Sequence, residues 1–520
     1  MKDGATINCA SGESNVASQR IVASQRIVKQ AGLSTLIIGL GLATSVFRVI
    51  FLTRSLSIND YGILSVLLTT MMVLSYLFSL GAFQYVYKET AANGLRISVL
   101  KSIVVGVGIT SLFWTLVGTL LSPLLLKSGV LGFGLLEWEL TLTASALSAV
   151  LFVLLYFLYG QRQVVVYNLL LFLRGYAWLY ILVPPVLLFK ARLTVTWVVA
   201  SWVMLIVIAL SQAVRRIGFS RLKRAPIDMS WFRYSIKYGA PLLPFFLSIW
   251  GMLAISKYVL TYVCNSAQVA LFSLAYTIFD MVYLVSVSVS QTLSPYIFAD
   301  WKGENQSSIH FDVALKYSTL LAILLALEAL LVGEQVIQFL AGEVYVGASV
   351  FMPLMAPLPL LRVLSANLEQ RLMATNRTQQ MGIIYVIGLL CTLLVGLWLG
   401  QVWGVNGVVV ALLFAHIILL AMMAWKVRGE IKVDGKFLSF YRIFVSSISL
   451  VFLICLWRAV SPLRQFQFIL TIAMPGIYFF ILYAWRAISQ LEIAYIMSVF
   501  GQLVGQIKRL VSYRMEGRNV

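Results

Sequence analysis

The chain has 520 residues, of which 61% are hydrophobic and only 11% are charged. Soluble domains carry roughly 25% charged residues, so this chain has too few to cover a surface in contact with water. The composition excludes a soluble globular domain and predicts an all-α polytopic membrane protein. The net charge of +20 does not call for nucleic acid as a partner, because the distribution of basic loops described below accounts for it.

Residues 1–30 are mostly polar and precede the first apolar run. That run is too long for the hydrophobic part of a signal peptide, so we expect no cleavage. We interpret residues 1–30 as a cytoplasmic N-terminal tail.

Apolar runs of about twenty residues can cross a hydrocarbon layer of ~30 Å. We predict about fourteen transmembrane helices, near residues 31–52, 62–87, 99–122, 136–160, 164–189, 194–214, 239–262, 268–296, 314–333, 350–374, 379–400, 403–425, 441–460 and 466–488. Pro353, Pro357 and Pro359 predict a hinge in the tenth of these runs.

A basic linker at residues 215–238 separates the first six runs from the others. It contains a single acid, Asp228, and the cations Arg215, Arg216, Arg221, Lys223, Arg224, Arg233 and Lys237. The positive-inside rule places such a stretch in the cytoplasm. Few cations fall in the outward loops, namely Arg54, Lys127, Lys190, Arg192, Arg458 and Arg464, so both termini are predicted to be cytoplasmic. The linker either sets the topology alone or also contacts lipid headgroups.

These boundaries predict an N-lobe of six helices at 31–214, a C-lobe of six helices at 239–425, and two further helices at 441–488. Residues 489–520 have apolar side chains at helical spacing and basic side chains near their end. This pattern predicts an amphipathic helix on the cytoplasmic membrane surface.

The two lobes share a short pattern. Arg48 precedes Gly62-Ile-Leu-Ser65, and Lys257 precedes Ala270-Leu-Phe-Ser273 at nearly the same spacing. Each unit runs outward and then back inward, so the pattern indicates a parallel repeat about an axis along the membrane normal.

Several stretches resemble the polysaccharide flippases of the Wzx type, in the multidrug/oligosaccharidyl-lipid/polysaccharide exporter superfamily. The resemblance covers about residues 31–490 and is carried by motifs typical of the fold rather than of catalysis. They are Leu52-Thr-Arg-Ser-Leu-Ser-Ile-Asn-Asp-Tyr-Gly62, Tyr238-Gly-Ala-Pro-Leu-Leu-Pro244, Ser256-Lys-Tyr-Val-Leu260, Ala270-Leu-Phe-Ser273, Gly342-Glu-Val-Tyr345 and Gly404-Val-Asn-Gly407.

The resemblance implies two pseudo-symmetric six-helix lobes around a central cavity, with two additional C-terminal helices. It implies a bacterial inner-membrane transporter that moves undecaprenyl-pyrophosphate-linked oligosaccharide to the periplasmic leaflet by alternating access, for O-antigen, capsule or exopolysaccharide biosynthesis. Membrane lipids, a polysaccharide polymerase and chain-length machinery are the partners considered.

Ionisable residues inside transmembrane helices are costly and usually face a partner or a wet cavity. Arg174 and Arg362 lie deepest, and arginine can bind phosphate oxygens through two parallel hydrogen bonds. The sequence therefore predicts a substrate-binding cavity lined by Arg174, Arg362, Arg48 and Lys257. Asp280 and Glu328 are candidates for ion coupling or for pairing between lobes, for example Asp280 with Lys257 or Arg48. If Arg174 or Arg362 has a structural role instead, Asp280 is the expected acidic partner.

Two other functions remain open at this stage. A cation-coupled multidrug exporter of the same superfamily is disfavoured because cations outnumber acids inside the predicted spans. A membrane acyltransferase could use His416 as a base, but no partner for it lies nearby in the sequence. A polysaccharide polymerase is disfavoured because polymerases of this pathway generally carry a large periplasmic loop, whereas every predicted outward loop is short. We expect no enzyme activity, no cofactor and no metal, since the few candidate ligands show no paired spacing: Cys9, Cys264, Cys391, Cys455, His310 and His416.

Overall fold

The computed structural model describes residues 37–428 and 473–484, apart from residues 38, 128–131, 191, 303–308, 376, 474 and 479. Its secondary structure within these ranges is entirely helical. The helices are α1 (39–55), α2 (Ile58–Ser79), α3 (Ala82–Asn93), α4 (Ile97–Lys127), α5 (Leu135–Gly160), α6 (Val164–Phe172), α7 (Trp178–Phe189), α8 (Val195–Ile217), α9 (Phe219–Arg224), α10 (Met229–Gly239), α11 (Leu243–Val263), α12 (Ser266–Lys302), α13 (Ile309–Ala341), α14 (Met352–Met355), α15 (Pro357–Ala374), α16 (Thr378–Trp403), α17 (Val405–Val427) and α18 (Pro475–Ala484).

Ten helices in the described ranges are long and apolar enough to cross a membrane, or eleven if one broken pair counts as a single span. The prediction of an all-α polytopic membrane protein is confirmed. The N-terminal tail, the predicted span 441–460, most of the span 466–488 and the predicted surface helix at 489–520 lie outside the described residues. The assignment of two six-helix lobes remains a prediction.

Three predicted elements have a different local structure. The run near 62–87 forms two helices, because the chain turns at Leu80 and Gly81, both of which have positive φ. The run near 350–374 is broken: a 3-10 helix at Glu343–Phe351 and α14 precede a separate α15, which begins at Pro357. The basic linker is helical, and α10 continues through a 3-10 turn at Ala240–Leu242 into α11.

The chain divides into two compact units, which we describe separately. The first consists of Met1–Thr277, Glu334–Met355 and Asn376–Met423. Helix α5 lies at its centre and packs against α2, α3, α4 and α8. Small side chains such as Ala144, Ser145 and Ala149 are buried on α5, and small residues allow close packing of helices within a membrane.

Helix α2 packs against the helices that follow the basic linker, within the same unit. Gly62 touches the backbone carbonyl of Ser266, so a Cβ atom at Gly62 would overlap that oxygen. At the other end of α2, a Cβ atom at Gly81 would lie 2.5 Å from the carbonyl oxygen of Gly239. Glycine at these positions lets the backbones approach closely, and at Gly81 it also permits a φ of +73°.

The second unit consists of Ile278–Gly333, Ala356–Thr375 and Ala424–Val520. The side chains that α13 buries here include Leu320, Ile323 and Leu327, and they pack against Tyr478 and Leu482 of α18. A smaller cluster joins α12, α13 and α15 through Val287, Ala322, Val363 and Ala366. Both clusters are aliphatic-rich helix contacts of the kind that dispersion forces stabilise.

Candidate functional site

Arg174 is a buried cation in the first unit. It lies in a π turn, Leu173–Ala177, which connects α6 and α7. Its side chain is only 4% exposed. A π turn widens the helix and leaves carbonyl groups without their usual intrahelical donors, and such turns are frequent at functional sites. Here the indole Nε1 of Trp202 on α8 donates to the carbonyl oxygen of Arg174 at 2.5 Å.

The Arg174 guanidinium contacts neutral groups. Its Nε donates to Ser148 Oγ at 3.2 Å, and an Nη lies 3.5 Å from the sulfur of Met72. The guanidinium carbon lies 4.5 Å from the centre of the Phe152 ring. No carboxylate of the described residues forms an ion pair with Arg174. A buried cation without a countercharge is costly in a membrane, and it is well placed to receive an anionic group.

An aromatic cluster adjoins Arg174. We use this name for Tyr76, Phe83, Tyr87, Phe152, Tyr156, Tyr159, Tyr167 and Phe246. Ring-to-ring contacts of 4.6–6.1 Å connect all of these residues in one series. The series extends from Phe152, below the guanidinium, to Tyr87, which is 36% exposed. Tyrosine rings offer an apolar face and a hydroxyl group that can donate or accept a hydrogen bond.

The sequence alone does not indicate the aromatic cluster. Its members come from α2, α3, α5, α6 and α11, and no sequence spacing joins helices that are far apart in the chain. A partial signal exists on α5, where Phe152, Tyr156 and Tyr159 are four and three residues apart and therefore share one face of the helix.

Two of the other predicted cations also belong to the first unit. The guanidinium of Arg48 on α1 lies 5.9 Å from the ring centre of Tyr176, which is part of the same π turn as Arg174. Lys257 on α11 is directed toward α2, where its ammonium group donates to Thr69 Oγ1 at 2.6 Å and to the carbonyl oxygen of Ser65 at 3.0 Å. These bonds give Lys257 a role in joining α11 to α2.

The remaining predicted site residues belong to the second unit. Arg362 donates to Asp280 at 2.6 Å, and its guanidinium carbon lies 3.8 Å from the ring centre of Tyr283. Of the cations considered as partners of Asp280, the structure therefore pairs it with Arg362 rather than with Lys257 or Arg48. The two residues are 82 positions apart, so local spacing alone does not select Arg362 among the candidate cations. Glu328 on α13 is half-buried and has no ion pair within the part of the chain that the structure describes.

The Asp280–Arg362 pair predicts a specific mutational pattern. Asp280→Asn should lower membrane abundance, because it leaves the Arg362 charge without this countercharge in a poorly solvated region. A double variant, Asp280→Asn with Arg362→Gln, should recover much of the lost abundance, because both charges are removed together. Immunoblots of membrane fractions and thermal melting in detergent would measure this effect.

Glu328→Gln is the matched control for these variants, because it neutralises another intramembrane acid that has no described ion pair, and it should change abundance little. Losses that simply add in the double variant would contradict a coupled pair.

Groups of three or more His, Cys, Asp or Glu side chains that could hold a metal ion are absent from the described ranges. The arrangement around Arg174 offers charge-assisted hydrogen bonds and aromatic surface. It is suited to binding an anion that carries apolar or ring-shaped groups.

Comparisons with known proteins address the fold. No protein-family model and no curated protein matches the sequence. A solved structure of lipid II flippase MurJ, in an inward closed conformation, is similar with a TM-score of 0.69 and 14% identity, covering 87% of this chain and 99% of that chain. A MOP superfamily transporter from Pyrococcus furiosus gives a TM-score of 0.53 at 13% identity, covering 76% and 92%.

An outward-facing multidrug resistance MATE family transporter of the MOP superfamily gives a TM-score of 0.51 at 13% identity, again covering 76% of this chain and 92% of that chain. At these identities the similarity concerns the fold. Together with its many apolar helices, it identifies the chain as a multi-pass membrane protein with the fold of MOP superfamily transporters.

Proposed function

We propose that this protein translocates undecaprenyl-pyrophosphate-linked oligosaccharide across the bacterial inner membrane by alternating access. The observation that carries the proposal is the buried Arg174 guanidinium, which has no described carboxylate partner and stacks on an aromatic cluster. The similarity to a lipid II flippase supports a lipid-linked substrate. The transport cycle involves no covalent chemistry.

The substrate's diphosphate accounts for the buried charge. Transfer of a diphosphate through a membrane protein requires donors that replace its hydration shell, and a guanidinium supplies two parallel hydrogen bonds to phosphate oxygens. Arg174 is the primary phosphate contact in this proposal. Arg48 is a second contributor, because it lies beside the same π turn. Arg362 already pairs with Asp280, so a role in binding would require that pair to open.

The saccharide accounts for the aromatic cluster. Sugar rings have apolar faces and many hydroxyl groups, and tyrosine side chains complement both features. The cluster extends from the buried guanidinium to the exposed edge of Tyr87. Phe83 and Phe152 are 0% and 5% exposed, so in this proposal the saccharide meets their rings only when the helices that carry them separate during transport. This arrangement supports an oligosaccharide as the group that enters the protein.

A cation-coupled multidrug exporter is the second candidate, and the similarity to a MATE family transporter favours it. A cationic drug would be repelled by the buried charge of Arg174. Coupling by Asp280 would compete with its ion pair to Arg362. Arg174 therefore favours an anionic substrate over a cationic one.

The orientation completes the proposal. Both termini and the basic linker face the cytoplasm, in accordance with the positive-inside rule, and the substrate is delivered to the periplasmic leaflet. In such a pathway a polysaccharide polymerase and chain-length machinery would act on the delivered glycolipid.

A reconstitution assay tests the proposed substrate. The full chain is placed in lipid vesicles that contain a fluorescent undecaprenyl-pyrophosphate-linked oligosaccharide, and an impermeant reductant quenches only the outer leaflet. With the protein present, quenching should exceed the half that protein-free vesicles show. Efflux of the cationic dye ethidium is measured in parallel. Ethidium efflux without glycolipid movement would contradict the proposal and establish the drug exporter.

A further inference from the structure

The basic linker contributes a surface that the transport proposal does not use. We define the basic platform as residues 215–238, which comprise the end of α8, the helix α9 and most of α10. All seven of its cations are exposed: Arg215, Arg216, Arg221, Lys223, Arg224, Arg233 and Lys237. None of them has an ion pair with a carboxylate in the described parts of the chain.

The basic platform is attached firmly to the protein. The ammonium group of Lys101 on α4 donates to the carbonyl oxygens of Lys223 and Ala225 at 2.8 and 2.7 Å. The hydroxyl oxygen of Ser102 accepts a hydrogen bond from the Asp228 amide at 2.9 Å. The ring of Phe232 packs directly over Gly106, where a Cβ atom would overlap it. The cations are therefore displayed on a positioned helical segment.

The one acid in the platform is used locally. Asp228 accepts a hydrogen bond from the Ser230 amide at 2.9 Å and so caps the N-terminus of α10. Hydrogen bonds from Ser230 lower the pKa of Asp228, so it stays ionised at neutral pH. A single capping carboxylate cannot neutralise seven cations, and the platform keeps a large positive charge.

Apolar and aromatic side chains are exposed between the cations. They are Phe219, Ile227, Met229, Trp231, Tyr234 and Tyr238. Exposed tryptophan and tyrosine beside lysine and arginine are typical of segments at the membrane–water interface. The platform is continuous with two helices that can cross a membrane, since α8 precedes it and α10 continues into α11.

The length of the helical stretch formed by α10 and α11 supports a position of α10 at the lipid headgroups. The helical stretch Met229–Val263 has 35 residues, which at 1.5 Å per residue is about 52 Å long. A hydrocarbon layer of ~30 Å covers only part of it. The amphipathic α10 end, with its cations, therefore extends beyond the hydrocarbon.

We propose that the basic platform is a binding surface for anionic phospholipid headgroups, separate from the Arg174 site and independent of the transported substrate. Its charge is complementary to an anionic bilayer surface, and its exposed rings insert among the headgroups. An acidic protein partner would need no such apolar side chains beside the cations. An anionic bilayer surface matches both the exposed cations, through its phosphates, and the exposed apolar side chains, through the interfacial region.

The test uses the purified full chain in a neutral detergent, titrated with fluorescent phosphatidylglycerol and, separately, with fluorescent phosphatidylcholine. Binding is followed by anisotropy at low and high salt. Phosphatidylglycerol should bind more tightly, and its advantage should shrink at 0.5 M salt, roughly the range in which screening shortens to a few ångströms. A variant with Lys223→Gln and Arg224→Gln should weaken phosphatidylglycerol binding about tenfold or more and leave phosphatidylcholine binding unchanged.

The matched control is Lys190→Gln with Arg192→Gln, which removes one exposed lysine and one exposed arginine from the loop between α7 and α8. This control should bind both lipids as the unmodified protein does. Equal affinity for the two lipids, or equal effects of the two double variants, would overturn the proposal. Tight binding of polyglutamate with no preference for phosphatidylglycerol would also overturn it and would indicate an acidic protein partner.

Discussion

Replacing Arg174 with methionine is expected to abolish glycolipid transport while leaving the protein folded and inserted in the membrane. Methionine fills a similar volume, so the contacts around Phe152 keep their packing. The variant loses the charge and every N–H donor. Hydrogen bonds to charged groups contribute about 1.5–3 kcal/mol each, so losing two phosphate contacts should reduce transport by roughly two orders of magnitude or more.

The melting temperature of the Arg174 variants distinguishes a role of Arg174 in substrate binding from a structural role. Arg174 has no ion pair with a described carboxylate, and the charged form is unfavourable when buried. Arg174→Met should therefore leave the melting temperature unchanged or raise it. Arg174→Lys keeps the charge but loses the two-pronged geometry, and it should retain partial activity.

The measurements are surface-polysaccharide complementation and vesicle transport, each beside a membrane immunoblot. Arg192→Met serves as the control, because Arg192 is an exposed cation in a loop, and it should transport normally. A stable, abundant Arg174→Met protein with normal transport would rule out Arg174 as the phosphate contact. Loss of abundance in proportion to loss of transport would instead assign Arg174 a structural role.

The sequence predicts the fold better than the site because its signals are local. The length of each apolar run identifies a membrane helix without any knowledge of its neighbours. The break between α2 and α3 escapes this reasoning because Leu80 and Gly81 lie within one apolar run, and only the glycine indicates a turn. Arg174 lies far from both ends of its apolar run, and the structure finds it buried within the protein; its depth in the membrane stays a prediction.

Contacts between distant helices are less accessible from the sequence. The sequence identifies Lys257 and Asp280 as costly charges but does not reveal that Lys257 bonds to α2, and it leaves several cations as possible partners of Asp280, of which the structure selects Arg362. The aromatic cluster is also hidden in the sequence, because its rings come from five helices that are distant along the chain. Prediction of these features requires knowing which helix faces pack together, and helix packing in membranes depends on shape more than on polarity.

One contact joins the two copies of a short pattern seen in the sequence. Ser65 and Ser273 occupy equivalent positions in the short repeat, and in the structure Ser65 Oγ donates to Ser273 Oγ at 2.6 Å. A contact between equivalent residues is what a two-fold relation produces on its axis. The neighbouring bonds of Thr70 with Tyr258, and of Lys257 with Thr69, join the same α2 face to α11.

These polar contacts between α2, α11 and α12 predict a second large effect, on transport activity. If transport requires α2 to separate from α12, a disulfide between Ser65→Cys and Ser273→Cys should stop transport completely, and a reductant should restore it. The hydroxyl oxygens are already close enough that two sulfurs can reach bonding distance with small adjustments. Gly62 lies against Ser266 near the same end of α2, so the disulfide would keep two tightly packed helices together in this region.

The experiment uses a background in which Cys9, Cys264, Cys391 and Cys455 are replaced by alanine, with a membrane-permeant oxidant to form the bond. Crosslinking is quantified on a gel after cleavage at a protease site introduced between the two cysteines, in the turn 161–163 between α5 and α6. The two fragments stay joined only where the disulfide has formed, and transport is measured on the same vesicles before cleavage. Each single cysteine variant should transport normally with and without oxidant, which excludes oxidation damage as the cause of inhibition.

Alternating access requires helices on the two sides of a closed contact to part in each cycle. Full transport by a quantitatively crosslinked protein would show that α2 and α12 stay together throughout the cycle, and the moving boundary would then have to lie elsewhere in the fold.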